Sequence, residues 1–174
     1  KFQINQEGDT WPTLIIPIDS YHFVGRNTAH DADKNHRFHV SPGGRVLYTK
    51  FSDVQNSKNP TWIVEGEIDA LSIADAGGEV IAIGSTQNVP KLLRFLRNNP
   101  LKTSLILSLD SDDMGKIAQQ ELIDGLRHMG ISYNSASRTE YKDANAFLQA
   151  DRERFFQYIH CESLSASLSP SVSR

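Results

Sequence analysis

The chain has 174 residues, of which 39% are hydrophobic and 22% are charged, an ordinary composition that excludes collagen-like and wholly disordered proteins. Its formal net charge of −3, from 18 basic and 21 acidic residues, excludes a protein that binds nucleic acid through an overall positive charge. The longest apolar run, Leu14–Ile18, is far shorter than a membrane span, and the single Cys161 excludes a disulfide framework. We therefore expect a cytoplasmic protein without a membrane segment.

Residues 1–57 predict a small β-rich subdomain. Thr13–Ile18 and Tyr21–Arg26 read as the two strands of a hairpin, and Arg45–Tyr48 reads as a further strand. The polar segment Ser52–Pro60 has the composition of a linker. We place the domain boundary between residues 57 and 58.

Residues 58–160 predict an α/β domain. Four short apolar runs alternate with segments of helical periodicity: "TWIVEG" from Thr61, "EVIAIG" from Glu79, "SLILSLDSD" from Ser104 and "ISYNSAS" from Ile131. This alternation is typical of a mainly parallel, four-stranded sheet covered by helices on both faces. The Ser-rich segment 161–174 has little apolar surface to offset its ordering entropy, so we expect it to be disordered.

Two acidic clusters follow predicted strands. Glu65 comes directly after the first strand, with Gly66 beside it and Asp69 one helical turn on, and Asp110 and Asp112 follow the third strand. Ligands of open parallel sheets bind off the carboxyl ends of the strands, where these acids fall. Oxygen ligands of this kind select Mg²⁺ or Mn²⁺ over zinc, and such ions act on phosphates.

A structural explanation competes with the metal site. Aspartates are common at strand-to-helix turns because they cap helices, and an acid in a first helical turn is favoured by the helix dipole. A single Asp-x-Asp is therefore weak evidence for a metal. The order Glu-Gly, strand, helix, Asp-x-Asp is more specific.

These residues resemble the two signatures of the Toprim domain, which is shared by DnaG-type primases, topoisomerases and some nucleases. The matching segments are "VEGEIDALS" (Val64–Ser72) and "LSLDSDDMGK" (Leu107–Lys116), and "AIGSTQNVP" (Ala82–Pro90) is similar to the small-residue loop between them. The resemblance implies a Rossmann-like, four-stranded Toprim fold preceded by the β-rich subdomain.

Flanking segments resemble the primase branch in particular. "IIPIDSYHFVGRNT" (Ile15–Thr28) and "RFHVSPGGRVLYTK" (Arg37–Lys50) are similar to stretches that precede the primase Toprim core, and Glu140–Ile159 is similar to the segment that follows it. Asn145 stands where the primase pattern has a second Asp, whereas Asp143 matches the first.

The resemblance implies a role for each acid. Glu65 would be the general acid or base, or a metal-bridging carboxylate, beside the reacting phosphate. Asp110 and Asp112 would bind Mg²⁺ or Mn²⁺, and Asp69 and Asp143 would support them.

Glycines and basic residues would complete the site. Gly66 and Gly84 would let the backbone approach phosphates closely. The basic residues of the N-terminal region would face the template or the nucleotide, although each is equally well explained as a solvated charge: Arg26, Lys34, Arg37 and Lys50. Lys116 and Lys142 lie beside the acids; each is within reach of a bound phosphate, but the simpler interpretation of both is a solvated charge.

The resulting hypothesis is the catalytic core of a DNA primase, a nucleotidyltransferase that makes RNA primers on single-stranded DNA from nucleoside triphosphates. The alternatives are a Toprim nuclease that nicks DNA and a non-catalytic DNA-binding module of a mobile-element replication protein. Because the chain begins at Lys1, we expect a longer bacterial, phage or mobile-element protein, with a zinc-binding domain upstream and a replicative helicase as partner.

Overall fold

The computed structural model describes residues 2–3, 10–30, 38–40, 47–49, 51–137 and 139–168. The chain forms two compact units, Lys1–Val46 and Leu47–Arg174. The division lies earlier than the predicted boundary between residues 57 and 58. Residues 47–57 belong to the larger unit because Tyr48 pairs with its sheet and Val54, 2% exposed, is part of its core.

The N-terminal unit is built from short antiparallel strands. The strands β1 (Phe2–Gln3) and β2 (Thr10–Trp11) form one pair, and β3 (Thr13–Pro17), β4 (Phe23–Asn27) and β5 (Phe38–Val40) form a three-stranded sheet in that order. The predicted hairpin is confirmed. Its turn is organised by Asp19, whose Oδ1 accepts hydrogen bonds from the backbone N–H groups of Tyr21 and His22.

A five-stranded sheet forms the centre of the larger unit. Its strands are β6 (Tyr48–Thr49), β7 (Thr61–Val64), β8 (Glu79–Ala82), β9 (Leu105–Ser108) and β10 (Tyr133–Ser135). They lie in the order β10-β9-β7-β8-β6; the first four are parallel, and β6 is an antiparallel edge strand. The predicted mainly parallel, four-stranded sheet is thus confirmed, with a short fifth strand added at its edge.

Helices cover both faces of this sheet. They are α1 (Phe51–Asn56), α2 (Glu67–Asp75), a 3-10 turn (Thr86–Asn88), α3 (Val89–Asn98), α4 (Asp113–Met129), α5 (Ala144–Ala150) and α6 (Arg152–Leu168). Because side chains alternate along a strand, Ile63 points into a core with α1, α3 and α4, whereas Trp62 and Val64 point into a core with α2, α5 and α6. Each fully buried side chain of this size contributes roughly 1.5–3 kcal/mol.

Helix α6 continues beyond the predicted end of the domain. The expectation that the chain is disordered from residue 161 is wrong for residues 161–168, which are helical. Ala166 is 2% exposed, and the indole Nε1–H of Trp62 donates to Ser163 Oγ at 3.2 Å. The small Ser and Ala side chains let this part of the helix pack closely on the sheet, so the segment buries surface despite its polar composition. The rest of the predicted tail lies outside the described residues.

Within the described part of the chain, no helix combines the length and the apolar character that crossing a bilayer requires.

Candidate active site

Four of the predicted acids lie near the carboxyl ends of two adjacent strands. Strands β7 and β9 are parallel neighbours, so their carboxyl ends share one edge of the sheet. Glu65 follows β7, and Asp69 lies in the first turn of α2. Asp110 and Asp112 follow β9. Asp143 comes from further along the chain, directly before α5.

Two of these acids cap helices. Asp112 Oδ1 accepts a hydrogen bond from the backbone N–H of Gly115 at 2.8 Å, and Asp143 Oδ1 accepts one from Ala146 at 2.8 Å. Each is the N-cap of its helix, α4 and α5 respectively. A carboxylate has two oxygens and several acceptor sites, so capping fixes the side chain without using up its capacity to bind a cation.

Asp69 is held by a residue distant in sequence. Its Oδ1 accepts a hydrogen bond from the backbone N–H of Asn145 at 3.0 Å, which ties α2 to the start of α5. The side-chain Oδ1 of Asn145 lies 3.4 Å from the hydroxyl of Ser72. A Cβ added at Gly66 would lie 2.9 Å from Asp69 Oδ2, so glycine at this position leaves the carboxylate its place. In the sequence, Asn145 is only a departure from the primase pattern. In the structure, its backbone N–H holds the Asp69 carboxylate in place.

The acids open onto a cavity of about 700 Å³. Asp69, Asp110 and Asp143 line it, together with Lys116 and Lys142. Serine, threonine and glutamine residues from the end of β9, the loop after it, α4, and the end of β10 with the loop after it add neutral hydrogen-bonding groups: Ser108, Ser111, Gln119, Gln120, Ser135, Ser137 and Thr139. The structure thus brings three of the five predicted acids to one cavity.

The other two predicted acids do not line this cavity. Neither Glu65 nor Asp112 is among the described residues at its wall. Asp112 still acts on the site, because its charge is one of those that raise the pKa of Asp110. Glu65 is half-buried, and its backbone carbonyl accepts a hydrogen bond from the N–H of Gly84 at 2.8 Å.

Burial and mutual repulsion disfavour the ionised form of two acids that line the cavity, Asp69 and Asp110. Burial raises the pKa of Asp69 to about 6, and the charges of Asp143 and Asp110 add to the rise, while the Asn145 N–H and Lys142 oppose it. Burial also raises the pKa of Asp110; Lys142 lowers it, and Asp143 and Asp112 raise it. A nearby cation would stabilise the ionised carboxylates against burial and mutual repulsion.

The donor set fits a hard divalent ion. The acidic side chains that line the cavity offer carboxylate oxygens, which Mg²⁺ and Mn²⁺ prefer. Among the described residues, no group of three or more Asp, Glu, His or Cys side chains is assembled closely enough to hold an ion. Mg²⁺ is usually bound by one or two carboxylates and completed by water and substrate phosphate, so these residues fit an ion that arrives with a phosphate ligand.

Two glycines are required where the site loops turn. Gly84 has a φ of 73°, in the left-handed region that other residues avoid, and its N–H bonds to Glu65. A Cβ added at Gly115 would lie 2.1 Å from the carbonyl oxygen of Asp110, so only glycine lets α4 begin against that loop. Gly115 was part of the matched motif, but its role depends on a contact that the sequence does not show.

The predicted basic residues are placed only in part. Arg26 lies in β4 of the N-terminal unit, with an exposed side chain. Lys34, Arg37 and Lys50 lie outside the described residues. Their role in binding the template or nucleotide stays a prediction.

Solved structures share this fold. The zinc-binding and RNA polymerase domains of the Aquifex aeolicus primase match with a TM-score of 0.64 at 23% identity, over 86% of this chain and 40% of that one. The primase fragment of the bacteriophage T7 primase-helicase matches with a TM-score of 0.61 at 19% identity, over 90% of this chain and 59% of that one. The RNA polymerase domain of Mycobacterium tuberculosis primase DnaG matches with a TM-score of 0.64 at 17% identity, over 92% and 58%.

The chain spans only 40% to 59% of the length of these three proteins, and at such identities the likeness is one of fold. A comparison with curated protein sequences finds no significant match. The family model described as Toprim-like matches residues 62–148, half of the chain, and this segment contains the four parallel strands except for Thr61, the N-caps of α4 and α5 and all five acids. The chain therefore belongs to the Toprim-like family.

Proposed function

We propose that this chain is the catalytic core of a DNA primase, which joins ribonucleotides on a single-stranded DNA template. The observation that carries the proposal is the cavity at the carboxyl edge of the sheet, which Asp69, Asp110 and Asp143 line together with neutral hydrogen-bonding groups. The resemblance in fold to primase RNA polymerase domains, over most of this chain, favours primase chemistry over other Toprim activities.

The acids of the site divide the work. Asp110, at the cavity, and Asp112, whose charge acts on Asp110 from the same loop, would hold a Mg²⁺ or Mn²⁺ ion, with Asp69 and Asp143 in support. When bound, the ion neutralises charge on the nucleotide phosphate and makes the primer hydroxyl more acidic. Glu65 takes up or delivers the proton of the reacting group from its place directly after β7.

Partners follow from the same proposal. Single-stranded DNA and nucleoside triphosphates are the substrates. Their phosphates are contacted by the basic residues of the N-terminal region: Arg26, Lys34, Arg37 and Lys50. The Aquifex structure includes a zinc-binding domain, and the T7 protein is a primase-helicase. An upstream zinc-binding domain and a replicative helicase are accordingly the proposed partners of the longer protein.

Ribonucleotide incorporation tests the function. The protein is supplied with single-stranded DNA, four ribonucleoside triphosphates and Mg²⁺ or Mn²⁺, and oligoribonucleotides are resolved on a gel. Glu65→Gln should lower synthesis by roughly 100-fold or more, the range expected for loss of a general acid or base. Glu121→Gln is the matched control, because Glu121 is an exposed acid on α4.

Other products would point to the alternatives. Metal-dependent nicking of DNA without added nucleotides would identify a Toprim nuclease. Binding to single-stranded DNA that persists in EDTA, with no synthesis under any metal, would identify a non-catalytic module. Full synthesis by the Glu65→Gln protein would leave the fold assignment standing and remove the proposed role of Glu65.

A further inference from the structure

Lys142 lines the cavity, and its positive charge acts on Asp69 and Asp110. It lines the same wall as Asp69 and Asp110. The ion pairs seen among the described residues involve other basic side chains; Lys116, the other lysine of the wall, pairs with Asp113 at 3.2 Å. Lys142 is also exposed to solvent, so a molecule entering the cavity can contact it.

The backbone around Lys142 is fixed on both sides. Asp143, the next residue, caps α5 through its bond to the N–H of Ala146. The ring of Tyr141, the preceding residue, stacks on Phe147 with centroids 4.5 Å apart and planes 18° from parallel. The lysine therefore projects from a defined point of the cavity wall rather than from a loose loop.

A positive charge at this point has opposite effects on two ligands. It opposes the uptake of a free divalent cation by the acids, since like charges repel. It favours a phosphate group, which an ammonium binds through charge-assisted hydrogen bonds. The electrostatic reach of Lys142 is visible in the acids themselves, because it lowers the pKa of both Asp69 and Asp110 against the effect of burial.

We propose that Lys142 is a substrate-binding residue whose ammonium contacts a phosphate of the incoming nucleoside triphosphate, so that the cavity takes up metal together with nucleotide in preference to metal alone. This inference rests on the proposed function for the class of its ligand. It replaces the interpretation of Lys142 as a solvated surface charge.

Two binding measurements test the proposal by calorimetry. The first titrates Mn²⁺ alone, and the second titrates ATP at saturating Mn²⁺, each with the wild-type protein and the variants Lys142→Gln, Lys142→Arg and Lys102→Gln. Lys142→Gln should weaken ATP binding roughly tenfold or more, the effect of losing a hydrogen bond to a charged group. The same variant should bind Mn²⁺ alone more tightly than the wild type, and Lys142→Arg should preserve both values.

Lys102 is the matched control. It is an exposed lysine that precedes β9, at the opposite end of the strand from the acids. Loss of ATP binding in Lys102→Gln equal to that in Lys142→Gln would overturn the proposal, as would ATP binding by Lys142→Gln within twofold of the wild type. Parallel weakening of Mn²⁺ and ATP binding would assign Lys142 a structural role instead. Should primer synthesis be absent while Lys142-dependent ATP binding remains, the proposed function fails and this inference stands.

Discussion

Replacing Asp69 with asparagine should stabilise the protein at neutral pH when no divalent cation is present. The substitution keeps an oxygen that can accept the hydrogen bond from the Asn145 N–H, now made at 3.0 Å, and removes the negative charge. That charge is unfavourable in the folded state, because burial raises the pKa of Asp69 from 3.8 to about 6, with help from Asp143 and Asp110.

The pH range of the effect follows from the direction of this shift. Between pH 3.8 and about 6 the folded protein holds a proton on Asp69 that the unfolded chain has lost, so stability falls as the pH rises through this window. Above about pH 6 the folded protein bears the full cost of the buried Asp69 charge, and below pH 3.8 it bears none of this cost. A rise from 3.8 to about 6 corresponds to roughly 3 kcal/mol; residual contact of Asp69 with solvent reduces this, and we expect about 2 kcal/mol.

Thermal unfolding followed by circular dichroism measures the difference. In EDTA at pH 7.5, Asp69→Asn should melt about 5 °C above the wild type, and at pH 4 the two should melt together. Mn²⁺ should raise the melting temperature of the wild type more than that of the variant, since a ligand stabilises the state that binds it. Asp124→Asn is the control: Asp124 is exposed on α4, lies 3.9 Å from Arg127, and accepts a hydrogen bond from Gln120 Nε2 at 3.0 Å that an asparagine oxygen also accepts.

Three results would refute the reasoning. A variant no more stable than the wild type at pH 7.5 would mean that the repulsion at Asp69 is already relieved without metal. A gain of the same size at pH 4 would mean that the substitution improves packing rather than removing charge. A comparable gain in Asp124→Asn would indicate a general effect of net charge.

The remaining predictions concern close packing, and both are measured by urea unfolding. Gly115→Ala should lower the free energy of unfolding by about 2–3 kcal/mol, because the added Cβ would lie 2.1 Å from the Asp110 carbonyl oxygen and the backbone must move. Gly125→Ala, on the same helix, is the control and should cost much less, because its Cβ meets only the flexible side chain of Leu93. Equal losses of stability in the two variants would contradict the prediction. Removing residues 161–168 should cost about 2–4 kcal/mol, since it exposes the surface that Ala166 covers and breaks the hydrogen bonds of Trp62 to Ser163 and of Ser104 to the Ala166 carbonyl. An unchanged midpoint would restore the prediction of a disordered tail.

The parallel sheet could be predicted because its signals are local. The runs that contain Ile63, Ile81, Ile106 and Leu107 are short and apolar, and helical segments separate them, which leaves few alternatives to a parallel sheet. The placement of acids at strand ends follows from the same pattern. The predicted and observed strands therefore agree where the structure depends on a few consecutive residues.

Contacts between distant residues could not be predicted in this way. The support of Asp69 by Asn145 and the hydrogen bond from Trp62 to Ser163 join residues far apart in sequence. The Ser-rich segment reads as disordered by composition, yet its small side chains suit a helix packed closely on a sheet. Glu65 is the reverse case: its motif is specific, but it does not line the cavity within the described part of the chain.

Three of the five acids of the site are held by contacts that do not depend on a metal. Asp112 and Asp143 are bound to the first turns of α4 and α5, and Asp69 is bound to the backbone of Asn145. Turning Asp112 or Asp143 away would cost a helix cap, about 1 kcal/mol each, and turning Asp69 away would break its hydrogen bond to the Asn145 N–H, so rotation of these three side chains does not relieve the repulsion. It is relieved by a proton or by a cation. Because protons leave Asp69 near pH 6, a bound cation takes the place of the proton at neutral pH, and its binding recovers part of the electrostatic cost of folding the acids together.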